Sequence, residues 1–167
     1  NNTGIGTQAL QNNSTGTELT AVGAAALSSN TTGVYNTAVG SSSLNANTTG
    51  YGNTAVGYAS LLGNTIGSGN TAIGGNDSAL GAPLQNNTVG AQNIAVGTGT
   101  LVNNISGNYN TAVGYGAIYA TTVNGNTAVG WQALTTNSTG VGGVVVGYQA
   151  AYNLSLIHIS EPTRPER

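Results

Sequence analysis

The sequence predicts an all-β protein, a parallel β-solenoid or β-roll of about nine coils, each of 17 residues. Three observations carry this. The pentapeptide "NTAVG" stands at 36–40, 53–57, 110–114 and 126–130, and "NTAIG" at 70–74. The closing glycines Gly6, Gly23, Gly40, Gly57, Gly74, Gly97, Gly114, Gly130 and Gly147 are 17 residues apart, except for gaps of 23 and 16 after Gly74 and Gly114. Inside each copy β-branched residues alternate with alanine. A fixed period of this size marks a stacked repeat, because no single unit can hide its apolar face alone.

The strand comes first. The position three before each anchor glycine holds Thr37, Thr54, Thr71, Thr111 and Thr127, with Ile94 and Val144 as exchanges. The position just before it holds Val22, Val39, Val56, Ile73, Val96, Val113, Val129 and Val146. Side chains alternate faces along a strand, and β-branched residues suit a pleated, half-buried surface. The reading therefore places Val and Thr together on the inward face and the intervening alanines outward. On that reading Thr54→Lys drives an unpaired charge into a narrow core and breaks the stack.

Next comes the leucine column, four residues past the anchor: Leu27, Leu44, Leu61, Leu101 and Leu134, with Leu84 in the longest unit. A second short strand is expected to carry it into the same core. Three residues further stand Asn30, Asn47, Asn64, Asn87 and Asn104, and three beyond those Gly33, Gly50, Gly67, Gly90 and Gly107. Asn and Gly suit the bends, and stacked asparagines can form amide ladders. The six additional residues of the 23-residue unit fall within 75–83, "GNDSALGAP", and are expected to loop out. The glycosylation-like triplets at Asn30, Asn47, Asn104 and Asn137 are read as by-products of this asparagine column.

Composition narrows the function. Charged residues are 4 % of the 167, there is no cysteine, and 27 residues are glycine. Residues 1–153 hold no His, Lys or Arg, and their only acids are Glu18 and Asp77, in different coils. A paired-carboxylate site needs two acids close together, a serine nucleophile needs a base, and calcium needs several charged oxygen ligands. The expectation is therefore no enzyme, no metal, no cofactor and no nucleic-acid partner. No apolar run reaches the roughly 20 residues of a membrane span, so no membrane contact is expected of this segment. The chain opens inside a repeat, as a piece of a longer protein would.

From Leu154 the register fails. "LSLIHISEPTRPER" holds both arginines and the only histidine, and its first eleven residues closely resemble a translated sequencing adapter. Residues 1–153 are read as the repeat domain and 154–167 as a non-native or disordered tail without function.

The "NTAVG" units followed by "NTTG" resemble two families: the YadA-like heads of trimeric autotransporter adhesins, and the repeats of phage tail fibres. The unit here is longer than the adhesin head repeat of about fourteen residues, and the likeness covers 1–153. The resemblance implies a left-handed roll, three chains side by side as a homotrimer, and a role in attachment. The location it implies is extracellular, on the bacterial cell surface or in a virion tail fibre, with a host glycan or matrix protein as partner. In this reading the outward alanine column supplies a flat contact between chains. Tyr115, Trp131 and Tyr148, each one residue past an anchor, would stack into a stripe. That stripe is either a surface for sugars or simply a row of rings packing on one another. The competing function is an ice-binding solenoid with ranked threonines outward, and the orientation of Thr37, Thr54 and Thr71 separates the two.

Overall fold

The computed structural model describes residues 1–120, 122–137 and 140–154. Of the tail read as foreign, only Leu154 is among them. The strands are β1 (Asn2–Ile5), β2 (Leu19–Val22), β3 (Thr37–Val39), β4 (Thr54–Val56), β5 (Thr71–Ile73), β6 (Ile94–Val96), β7 (Thr111–Val113), β8 (Thr127–Val129), β9 (Thr136–Asn137), β10 (Val144–Val146) and β11 (Asn153–Leu154). β1 to β8 and β10 form one sheet in chain order, every pair parallel, so the all-β solenoid expected from the period is what the chain adopts. Register is strict: Thr37 lies beside Thr54, Ala38 beside Ala55, Val39 beside Val56. It survives both irregular spacings, for Thr71 pairs with Ile94 and Thr111 with Thr127. At about 4.8 Å per step, eight steps make a sheet roughly 38 Å long.

The faces are the reverse of the sequence expectation. The alanines Ala21, Ala38, Ala55, Ala72, Ala95, Ala112 and Ala128 are fully buried. Thr37, Thr54, Thr71, Thr111 and Thr127 are only half-buried, as are Val22, Val96 and Val113, and Val39, Val56, Ile73 and Val129 are exposed. The reason is width. Leu27, Leu44, Leu61, Leu84, Leu101, Ile118 and Leu134 enter the interior from the opposite wall and are completely covered. Asparagine side chains fill the space to either side, which leaves room for little more than the methyl group of alanine on β2 to β8. The core is a column of leucine against the strand alanines, with Ala26, Ala117 and Ala133 beside the leucines and Val145 packing at the last strand.

Two asparagine ladders flank it. In the first, the Nδ2 of Asn30, Asn47, Asn64, Asn87 and Asn104 each donates to the Oδ1 of the asparagine one coil earlier, at 2.7–3.0 Å. In the second, the backbone N–H of Asn53, Asn70, Asn93, Asn110 and Asn126 donates to the previous asparagine's Oδ1. The ladders meet on one atom per coil: the carbonyl of Gly67 accepts from Asn64 Nδ2 at 2.9 Å and from Asn53 Nδ2 at 2.9 Å. The carbonyls of Gly50, Gly90 and Gly107 do the same. Glycine is needed here for space: a Cβ on Gly50 would overlap the Gly67 carbonyl oxygen and Asn47 Oδ1. The first ladder ends at Asn104, whose buried Oδ1 has no donor.

The leucine wall is not the strand expected from sequence, except where β9 pairs with β11. The second and fourth residues past the anchor take positive φ, as at Ala25 (56°) and Leu27 (49°). Backbone N–H groups there alternate between a turn inside the coil, Asn30 to the Leu27 carbonyl, and a bond to the next coil, Leu27 to the Ser43 carbonyl. A left-handed residue costs about 1–2 kcal/mol, and burying a leucine returns about 1.5–3 kcal/mol, so the conformation stands.

Two predictions follow from this interior. Asn64→Asp removes two donors and sets a carboxylate against carbonyl oxygens. It is expected to destabilise the rod by about 3–5 kcal/mol at neutral pH. Its raised carboxyl pKa makes the defect smallest below about pH 4 and larger as pH rises; urea unfolding at two pH values measures this. Ile118 is a β-branched residue at φ 46° where other coils use leucine, and Ile118→Leu should stabilise by about 1 kcal/mol in the same assay.

Candidate functional site

With Ala turned inward, the sheet's outer face is built from the threonine and valine columns, three residues or about 10 Å wide. Its exposed members include Val39 (37 %), Val56 (36 %), Ile73 (41 %) and Ile94 (43 %). The face carries no charged side chain. Alanine is buried and cannot supply the chain-to-chain contact expected of it; any such contact falls to Thr and Val. Aromatic residues border the face on both sides.

One margin lies just past the anchors. The rings of Tyr115 and Trp131 are parallel within 8° with centroids 6.3 Å apart, and those of Trp131 and Tyr148 within 10° at 4.9 Å. The three residues singled out from sequence thus come together as a stack. Their faces lie against one another, so the stripe presents mainly edges, and only an outer ring offers a platform. Tyr148 is the most open at 73 %. Beside them Gln149 Nε2 donates to Gln132 Oε1 at 3.2 Å.

The loop insertion interrupts this margin and fastens it. Asp77 Oδ1 accepts from the N–H groups of Ala79 (3.0 Å) and Leu80 (2.6 Å), a local turn that any Asp two or three residues ahead can make. Asp77 Oδ2 accepts from the Tyr115 hydroxyl at 2.9 Å. Leu80 lies over Gly99 and Gly116, where a Cβ would collide with it or press against it. Those two coils carry glycine where others carry Gln, Ala or Ser, so the loop has a seat two coils further along. The Leu80 N–H is the main cause holding Asp77 below the ordinary carboxyl value of 3.8, with the Tyr115 hydroxyl contributing; the same bond raises Tyr115 above the ordinary 10.0.

The other margin was not singled out from sequence. Tyr35, Tyr51 and Tyr109 are 60–65 % exposed, at the bend before the strand. Tyr35 and Tyr109 take positive φ, 60° and 61°, as do Glu18 and Gln92 in the same column, which holds glycine at Gly52, Gly69, Gly125 and Gly142. The alternation of Tyr with Gly is visible in the sequence, but its meaning needs the dihedral. The asparagines of the glycosylation-like triplets at Asn30, Asn47 and Asn104 are fully buried in the first ladder, and Asn137's side chain lies outside the description. Among the described residues no group of three His, Cys, Asp or Glu gathers as a metal site would need, and no helix is long and apolar enough to cross a membrane.

Comparison of the chain with family models, curated proteins and solved structures returned no match.

The Asp77–Tyr115 contact sets a pH window. A lowered carboxyl pKa contributes order above about pH 4 and loses it as pH falls; a raised phenol pKa contributes below about pH 10 and loses it as pH rises. Protection of the 78–81 amides, taken as the exchange rate relative to the intrinsic rate at each pH, should therefore fall at both limits, and Asp77→Asn should abolish the acid limb.

Proposed function

We propose that this chain is a structural and adhesive, non-catalytic segment of a surface or tail fibre. It assembles side by side with two further copies and attaches to a host glycan or matrix protein. The observation that carries the reading is the outer face: a long, uncharged array of Val, Ile and Thr in register, with exposed apolar side chains on every strand from β3 to β6. Contiguous exposed apolar surface of this kind usually marks a contact with another macromolecule. Aligned strands on a stiff rod present the same pattern at every step, so a second copy can meet it coil for coil.

The competing reading uses the same face. Thr37, Thr54 and Thr71 lie on the outer side, which is the arrangement an ice-binding array needs. Two features favour the protein partner. Ile94 and Val144 replace threonine in that rank, which interrupts a row of hydroxyls but suits apolar contact. The threonines are also the more covered of the two columns.

Light scattering on the purified chain tests the choice. Three copies are expected. Because both side chains face outward, the double variant Thr54→Lys, Val56→Lys should keep its β-sheet circular dichroism and fall to a single copy. A single-copy parent protein that arrests ice recrystallisation, an activity lost in the double variant, would install the ice reading instead.

A further inference from the structure

We infer that the bend before the strand holds a binding site for one uncharged sugar residue, walled by Tyr51 and Gln92 over the floor of Gly69. This rests on the attachment reading and gives it a ligand class and a place. A cavity of about 260 Å³ opens there, lined by Tyr51, Ser68, Gly69, Ala91 and Gln92. That is below the roughly 300–1,000 Å³ of pockets for larger ligands, and of a size for a single ring.

Its lining is the chemistry a neutral saccharide needs. Tyr51 is 60 % exposed and offers an aromatic ring and a hydroxyl; such rings pack on the C–H faces of apolar and amphipathic ligands. Among the described residues the side-chain amide of Gln92 has no hydrogen-bond partner, leaving both a donor and an acceptor for sugar hydroxyls. No lining residue is charged, which disfavours acidic sugars and phosphates.

The backbone beneath the walls is held by the stack: Tyr51 N–H donates to Ser68 Oγ at 3.1 Å, Gly69 N–H to the Tyr51 carbonyl at 2.9 Å, and Gln92 N–H to the Ser68 carbonyl at 2.9 Å. A ligand entering the cleft must order only the two side chains, not the main chain that carries them. The floor depends on one missing side chain, since a Cβ on Gly69 would press on Gln92 Cγ at 3.3 Å. Gln92 itself sits at φ 57°, in a column where glycine would be unstrained. That φ recurs at Glu18, Tyr35 and Tyr109 in the same column and belongs to the bend; what marks Gln92 is an exposed amide without a partner at the mouth of a cavity.

The test uses methyl glycosides of glucose, galactose and N-acetylglucosamine as probes, with saturation-transfer and amide-shift NMR on the whole chain. At least one probe should perturb residues 51, 68, 69 and 92. Tyr51→Ala and Gln92→Gly should each weaken it by at least about tenfold, the loss of one good contact. Gln92→Gly relieves backbone strain, so its melting temperature should hold or rise while binding falls, which a merely structural residue would not do. Absence of shifts at these residues with all three probes, or undiminished binding by both variants, overturns the site. Adhesion of the rod to glycan-coated and collagen-coated surfaces is scored separately. If the Tyr51→Ala protein adheres as well as the parent, attachment stands and the cleft fails. If the parent adheres to neither surface yet binds a probe, the cleft stands and the attachment reading fails.

Discussion

One carbonyl oxygen per coil governs this structure. The carbonyls of Gly50, Gly67, Gly90 and Gly107 each receive an amide from both asparagine columns, one from its own coil and one from the coil before. Each amide has a second partner in the ladder, so position along the chain is converted into position along the rod. A coil displaced by one residue would leave buried amides unbonded, at about 1–3 kcal/mol apiece. This explains why the register holds through the unit of 23 residues; through the unit of 16 the second ladder carries it alone, from Asn110 to Asn126. The surplus is expelled as a loop rather than absorbed as a slip.

That constraint also shapes the interior. Asparagine side chains flank the core, leucine fills it from one wall, and alanine fills the other from β2 to β8, with Val145 in its place on β10. The β-branched residues, apolar though several are, are left to the outside, where they favour the extended backbone without needing to be covered. The result is a protein whose sheet is most apolar on its exposed face and whose interior is rich in amides, an inversion of the ordinary arrangement.

The period, the strand positions, the leucine column and the amide ladders were legible from spacing alone. The facing of the strand was not, because hydropathy ranked Val above Ala. A parity argument would have decided it: Leu19 stands where other coils have asparagine, two residues before the alanine, and is buried. A column that accepts either Asn or Leu and shares a face with Ala must point inward. The leucine wall was misread as a strand because left-handed leucine has no sequence signature; the recurrent φ near 50° comes from turns closed inside each coil. The stack of Tyr115, Trp131 and Tyr148 followed directly from column position. Tyr51 and Gln92 escaped notice because they belong to adjacent columns two coils apart, joined only by the empty Gly69 between them.

Every amide of the first ladder points the same way: nitrogen toward the earlier coil, oxygen toward the later one. Bond dipoles aligned head to tail add and polarise one another. A chain nearly devoid of ionic groups therefore carries an electrical axis along this row, which begins at Asn13 and closes on the bare Oδ1 of Asn104. Such a needle has a north and a south. Neighbours lying alongside it in parallel repel weakly through this axis and those lying head to foot attract. A parallel bundle must therefore draw its cohesion from the contacts of its flanks.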